Sequence, residues 1–159
     1  MPKQSVPATA ELLAGAARAA ADFGAAADTV DQAAAATLGV NRTDLRIIGL
    51  IKDAGSMAAT ALSEAAGLSP GATTTAIQRL VAAGHLHRAI DPQDRRRVIL
   101  TVVTATGDLL DRIYGPIGKA GERLLARYSA RELRLITEFM HAGRRLQLEE
   151  AERIRSIRS

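Results

Sequence analysis

The chain has 159 residues, of which 47% are apolar and 24% charged, with a formal net charge of +4. That length suits one domain, or one core with helical extensions, and the charge permits a polyanionic partner without demanding one. The absence of cysteine excludes a disulfide framework, a thiol redox sensor and any cysteine-ligated metal, while two Phe, two Tyr and no Trp argue against the base-stacking platforms of single-strand nucleic-acid binders.

The first predicted element is a long helix from about Ala8 to Leu38. Leu12, Ala16, Ala19, Phe23, Ala26, Val30 and Ala33 recur at steps of four and three, a heptad-like seam made mostly of alanine. A helix of that length with so small a seam predicts a partner helix from a second subunit. Glu11, Arg18, Asp22 and Asp28 punctuate the stretch, so it is unlike a signal peptide. No apolar run approaches the ~20 residues of a membrane span, and a reducing cytoplasm is the expected compartment.

Asn41 or Thr43 can cap a second helix, Thr43 to Asp53, whose Leu45, Ile47, Ile48, Leu50 and Ile51 cover most of its circumference. A short helix follows from about Ala58 to Ala66, with Leu62 and Ala65 facing inward, and Gly67 ends it. Ser69-Pro70 opens a third helix of this trio. Rotation by 100° per residue puts Thr73, Ala76, Ile77, Leu80 and Val81 on its inner side. Gly71, Ala72, Thr75, Gln78, Arg79 and Ala82 fall on the outer side, with Thr74 at the margin.

Past Gly84 the period changes. His85 to Ile90 and Val98 to Val103 are β-prone, and Asp91-Pro92-Gln93-Asp94 supplies turn residues between them. Thr104 can cap a helix from about Ala105 to Tyr128, which Gly115-Pro116 should kink or loosen. Ser129-Ala-Arg-Glu132 is a capping box that opens a final helix carrying Leu133, Ile136, Phe139, Met140 and Leu146.

Three helices followed by a hairpin make a winged helix-turn-helix. The predicted fold is mainly α with a small β-hairpin wing, flanked by long N- and C-terminal dimerisation helices. Residues 1–40 and 105–159 would form one continuous dimer core, with Leu12, Ala16, Phe23, Leu133, Ile136 and Met140 at the dimer contact. Residues 41–104 would bind DNA. A recognition helix must enter a major groove about 12 Å wide, so small or polar outer residues suit it. Gly71, Ala72, Thr74, Thr75 and Gln78 meet that need, Arg79 is placed for a phosphate, and the helix start at Ser69 favours an anion. Arg95, Arg96 and Arg97 on the wing suit a narrow minor groove, because arginine is permanently charged and weakly hydrated. Asp94 is expected to fix the turn or orient an arginine.

From about Thr43 to Gly107 the chain resembles the MarR (multiple-antibiotic-resistance regulator) family of winged-helix transcription factors. Leu68-Ser69-Pro70-Gly71, Arg79-Leu80 with Gly84 beyond, Asp91-Pro92-x-Asp94-Arg95-Arg96 and Thr104-x-x-Gly107 carry the resemblance. It implies a bacterial homodimer on a palindromic double-stranded operator, located with the nucleoid when bound, commonly as a repressor of nearby genes that a small phenolic or lipophilic ligand releases. It places Arg95 and Arg96 at DNA-contacting wing positions. Many members carry arginine where this chain has Thr75 and aspartate where it has Gln78. That departure predicts a more A·T-rich half-site, since threonine does not read guanine as arginine does. The wing is also one residue longer before Thr104, which leaves the direction of Arg97 open.

Other features point away from chemistry. His85 and His87 alternate on one strand, but only His141 could join them, so no metal site is expected. No serine–histidine–acid spacing, Walker loop or dinucleotide glycine pattern is present, and neither an enzyme nor a cofactor is expected. The arginines near the C-terminus, Arg144, Arg145, Arg153, Arg155 and Arg158, read as a solvated helix face. Arg46, Ile47, Ile113 and Tyr114 are candidates for a ligand pocket by position, with plain core as the alternative. The competing function is a winged-helix module whose hairpin docks an acidic protein; the scarcity of exposed aromatics on the recognition helix favours DNA.

Overall fold

The computed structural model describes residues 9–92, 94 and 97–157. In chain order the elements are α1 (Thr9–Leu38), α2 (Arg42–Ala54), β1 (Met57–Ala58), α3 (Ala59–Ala66), α4 (Pro70–Ala82), β2 (Leu86–Ile90), β3 (Val98–Val102), α5 (Thr104–Leu125) and α6 (Ala130–Ser156). They divide into two compact units, Met1–Arg112 and Ile113–Ser159.

The core of the first unit forms where α2, α3 and α4 meet the sheet. Ile47, Ile48 and Ile51 of α2, Leu62 of α3, Leu80 of α4 and Leu100 of β3 are wholly buried, and Leu86 of β2 is nearly so. Each such side chain contributes roughly 1.5–3 kcal/mol by leaving water. Of the two cap candidates for α2, Asn41 is the one used: its Oδ1 accepts the Asp44 backbone N–H at 2.9 Å. On α3, Leu62 and Ala66 are buried and Ala65 is exposed, correcting the expected inward pair. A residue four positions on lies closer to the same helix face than one three on, and the short helix buries only that line.

The turn from α3 to α4 passes through Gly67 at φ 65°, a left-handed conformation that a β-carbon disfavours. Ser69 then caps α4, its Oγ accepting the Ala72 N–H at 3.2 Å, with Pro70 in the first helical position. Gly84 at φ 77° turns the chain out of α4 into β2.

β2 and β3 form an antiparallel hairpin in which Leu86 faces Val102 and Ile90 faces Val98. The β-prone runs predict two strands here. The structure adds β1, which pairs with the other edge of β3, Met57 facing Leu100 and Ala58 facing Ile99, for an order β1-β3-β2. Two residues without a β-branched side chain carry no strand signal. The central position of β3 accounts for its Val-Ile-Leu-Thr-Val composition and for the complete burial of Leu100.

α5 begins at Thr104 itself, because the Val103 carbonyl accepts the Gly107 N–H at 3.0 Å; Thr104 is the first helical residue and not the cap. The helix continues without a break past Pro116 to Leu125. Proline there removes one backbone bond, to the Arg112 carbonyl, and the turns on either side keep theirs.

α6 opens on the capping box expected of it: the Ser129 side chain accepts the Glu132 N–H, and the Glu132 carboxylate accepts the Ser129 N–H at 2.7 Å. No residue of α6 is buried, although Leu135, Phe139, Met140, Leu146, Leu148 and Ile154 lie along it. α1 behaves similarly. Only Ala34, Ala35 and Leu38 at its C-terminal end are buried, while Leu12, Ala16 and Phe23 are exposed. Among the described residues no helix is long and apolar enough to cross a membrane.

Candidate nucleic-acid interface

α4 is amphipathic in a specific way. Its inner residues Thr73, Ala76, Ile77 and Leu80 are buried against the core. Ser69, Gly71, Ala72, Thr74, Thr75, Gln78 and Arg79 are all exposed. Val81, read as inward-facing, is 37% exposed and sits at the rim. The exposed stripe is thus small near the helix start and polar further along, as entry into a groove requires.

The threonine hydroxyls are partly committed. Thr74 donates to the Pro70 carbonyl at 2.9 Å and Thr75 to the Gly71 carbonyl at 3.0 Å. Their hydrogens therefore point back into the helix. What each presents outward is a hydroxyl oxygen that can still accept, and a methyl group. That pair suits a base amino group or the thymine C5 methyl, and does not suit guanine O6 or N7, which accept. Thr73 is structural: it donates to the Ser69 carbonyl at 3.0 Å and shares a 2.9 Å bond with Ser63, locking α4 on α3.

Arg79 is held from below. Its Nε and Nη2 donate to the two carboxylate oxygens of Asp44 at 2.7 and 2.6 Å. Asp44 is 2% exposed and also accepts from Asn41 Nδ2 at 3.0 Å. The hydrogen bonds and charge of Asp44 raise the Arg79 pKa above its already high ordinary value, so this cation is permanent. Asp44 is not among the site residues predicted from sequence. A signal was present: Asp44 shares the line of Ile47, Ile48 and Ile51 on α2, and an acid on a buried face needs a cation. Arg42, beside the cap, binds back to α1 through Asp28 at 2.7 Å and Asp31 at 3.4 Å.

At the wing, the Asp91 N–H donates to the Arg97 carbonyl at 2.9 Å and the Arg97 N–H to the Asp94 carbonyl at 2.8 Å. These bonds close the hairpin at its turn. The Arg97 guanidinium lies 3.9 Å from the Asp91 carboxylate and is over half exposed. Arg97 is therefore at the base of the turn, beside an acid. Arg95 and Arg96 lie outside the described residues.

The remaining candidates divide between the two units. Ile47 is wholly buried, and the Arg46 guanidinium donates to the Ala65 carbonyl at 3.4 Å. Ile113 and Tyr114 are half-buried in the second unit. His85, which the structure places just before β2 and not on it, has Nδ1 3.1 Å from the buried Thr106 hydroxyl, tying the entry to β2 to the first turn of α5. Leu133 and Ile136 are half-buried and Met140 is exposed.

The comparisons with known proteins agree with this geometry. A family model described as MarR family matches residues 38–97, from the end of α1 to the base of the wing. The uncharacterized HTH-type transcriptional regulator YcgE of Bacillus subtilis is 36% identical over 124 residues, which is 78% of this chain and 80% of that protein. Among solved structures, a cysteine-to-serine mutant of MarR from E. coli complexed with operator DNA is 17% identical. It aligns over 86% of this chain and 99% of that one, with a TM-score of 0.57. NadR in complex with 4-hydroxyphenylacetate is 20% identical over 89% and 96% of the two chains, also at 0.57. A capped helix with a small polar face, an acidic–arginine wing and a regulator relative sharing most of its length place this chain in the MarR family of DNA-binding transcriptional regulators.

Proposed function

We propose that this chain is a homodimeric, sequence-specific repressor that binds a palindromic operator near its own gene. The observation that carries the reading is the exposed face of α4: seven residues from Ser69 to Arg79, small or polar, on a helix whose other side is buried. Two such helices related by a two-fold axis enter successive major grooves one turn of DNA apart. The exposed apolar residues of α1 and α6 supply the surface that a second copy covers. Wing arginines Arg95, Arg96 and Arg97 add minor-groove and phosphate contacts.

Ser69, Gly71, Ala72 and Thr74 approach the phosphate backbone, and Thr75 and Gln78 read bases. Gln78 pairs with adenine, and Thr75 meets a thymine methyl or an amino group, which favours an A·T-rich half-site. In vitro selection from a random duplex library tests this. The expected product is an inverted repeat with half-sites about ten base pairs apart and A·T-rich cores. A guanine-anchored core would contradict the role of Thr75, and no enriched sequence would contradict sequence-specific binding altogether.

Release by a small phenolic or lipophilic ligand completes the proposal, supported by the fold shared with NadR bound to 4-hydroxyphenylacetate. Titrating a panel of aromatic acids into the preformed protein–operator complex should lower its anisotropy for at least one member. A complex that survives all of them at millimolar concentration would argue against an effector of this class.

A further inference from the structure

Asp44 is an acid beneath the exposed face of α4, and its place there has a consequence for DNA binding. A guanidinium carries five N–H groups in a rigid planar fork. In Arg79 two of them, on Nε and Nη2, are fixed on Asp44 at 2.7 and 2.6 Å. The plane of the fork is thereby set. The three remaining N–H groups, two on Nη1 and one on Nη2, point away from the carboxylate. The Arg79 side chain is 48% exposed while that of Asp44 is 3% exposed, so the open half of the fork is the outer half. It borders a groove between α4 and the first turn of α2, lined also by Thr43, Ala72 and Thr75. Arg42 and Thr43 are the first two residues of α2, whose N–H groups have no carbonyl of their own helix four residues back. The positive end of α2 adds to the field there. Asn41 completes the assembly by capping α2 and donating to Asp44 at 3.0 Å.

We infer that Asp44 is a positioning residue for DNA binding: it holds Arg79 with its outer N–H groups set to grip one backbone phosphate beside the recognition helix. The inference rests on the reading of α4 as the DNA-contacting helix. An unsupported surface arginine loses rotamer freedom when it grips a phosphate, and that loss weakens binding. With the fork already fixed on a buried carboxylate, that cost falls at folding instead.

The sign of the effect separates this role from simple charge. Asp44 carries negative charge close to the DNA face, so by charge alone its removal should strengthen binding. Positioning predicts the reverse.

The test uses the full chain, a duplex from the selection described above and a scrambled control, with affinity followed by anisotropy over a salt series. Arg79→Gln should lower affinity about tenfold on both duplexes and reduce the slope of log affinity against log salt by about one. Asp44→Asn should also lower affinity and flatten the slope, although it raises the net positive charge. The double variant should match Arg79→Gln alone, because Asp44 acts through Arg79. Unchanged or tighter binding by Asp44→Asn, an unchanged slope, or losses that add in the double variant would overturn the inference. A merely structural role would lower the melting temperature and leave the slope alone. If Asp44→Asn does not fold, Arg79→Lys carries the test. It keeps the charge and loses the planar fork, so it should bind several-fold more weakly, and affinity equal to wild type would overturn the inference. Wild-type protein that binds both duplexes equally and without salt dependence would instead defeat the DNA reading itself, and the role of Asp44 with it.

Discussion

On the proposed reading of α4 as the groove-facing helix, Thr75 is the side chain that limits which bases it can read. With its hydrogen donated to the Gly71 carbonyl at 3.0 Å, it offers an acceptor and a methyl, and no donor for guanine. Thr75→Arg restores a guanine reader at that place. Selection with this variant should return half-sites with a guanine at the matching position, and an unchanged motif would show that residue 75 does not face the bases. Ser69 acts at the N-cap of the same helix. Ser69→Ala removes the bond to the Ala72 N–H and should cost ~1 kcal/mol of stability, measured by denaturant unfolding. At the start of α6, bonds from the Ser129 hydroxyl and then its backbone N–H hold the Glu132 carboxyl below the usual carboxylate range. A depressed folded pKa means that the contribution is present above the unfolded value and lost as pH falls through the folded one. Glu132→Gln should therefore melt below wild type at neutral pH, and the gap should close as the pH falls below the unfolded glutamate value of about 4.3. A gap independent of pH would mean that the charged form of Glu132 contributes nothing at this cap.

At the scale of elements, the outer helices carry the widest apolar exposure. Leu12, Leu13 and Phe23 of α1, and Leu135, Phe139, Leu146 and Ile154 of α6, are each more than half exposed. A monomer in water would leave these faces wet, and the proposed dimer covers them. Phe139→Glu combined with Leu146→Glu should give a monomer in sedimentation analysis and abolish operator binding; an intact dimer would place the contact elsewhere. The helices were the most legible part of the fold. Strong period and explicit end signals (Asn41, Gly67, Ser69-Pro70, Ser129 with Glu132) fix them locally, and the structure uses those residues as read. Less legible were features set by tertiary context. β1 exists because β3 has a free edge, which no property of Met57 or Ala58 announces. α5 passes Pro116 because its neighbouring turns hold. The outer face of α4 follows from helical rotation alone, but the Arg79 partner is 35 residues away in sequence. Only the anomaly of an acid on the apolar face of α2 hinted at it.

For the whole molecule, where the charge lies matters more than the net +4. Near the C-terminus Arg153 pairs with Glu150 and Arg155 with Glu152 on their own helix, in line with a solvated face. Arg42 and Arg79 are both engaged by acids, and each lines the groove beside the recognition helix. In the proposed complex, DNA binding by such an arrangement would release counterions, so affinity should fall steeply with salt, with discrimination between sequences resting on the α4 residues. The most direct measurement is an anisotropy titration of the purified chain against a selected palindrome and its scrambled counterpart at two salt concentrations. Binding to the palindrome should be at least a thousandfold tighter, on the order of what specific regulators achieve, with both affinities weakened by added salt. Equal and weak binding to the two duplexes would contradict sequence-specific binding.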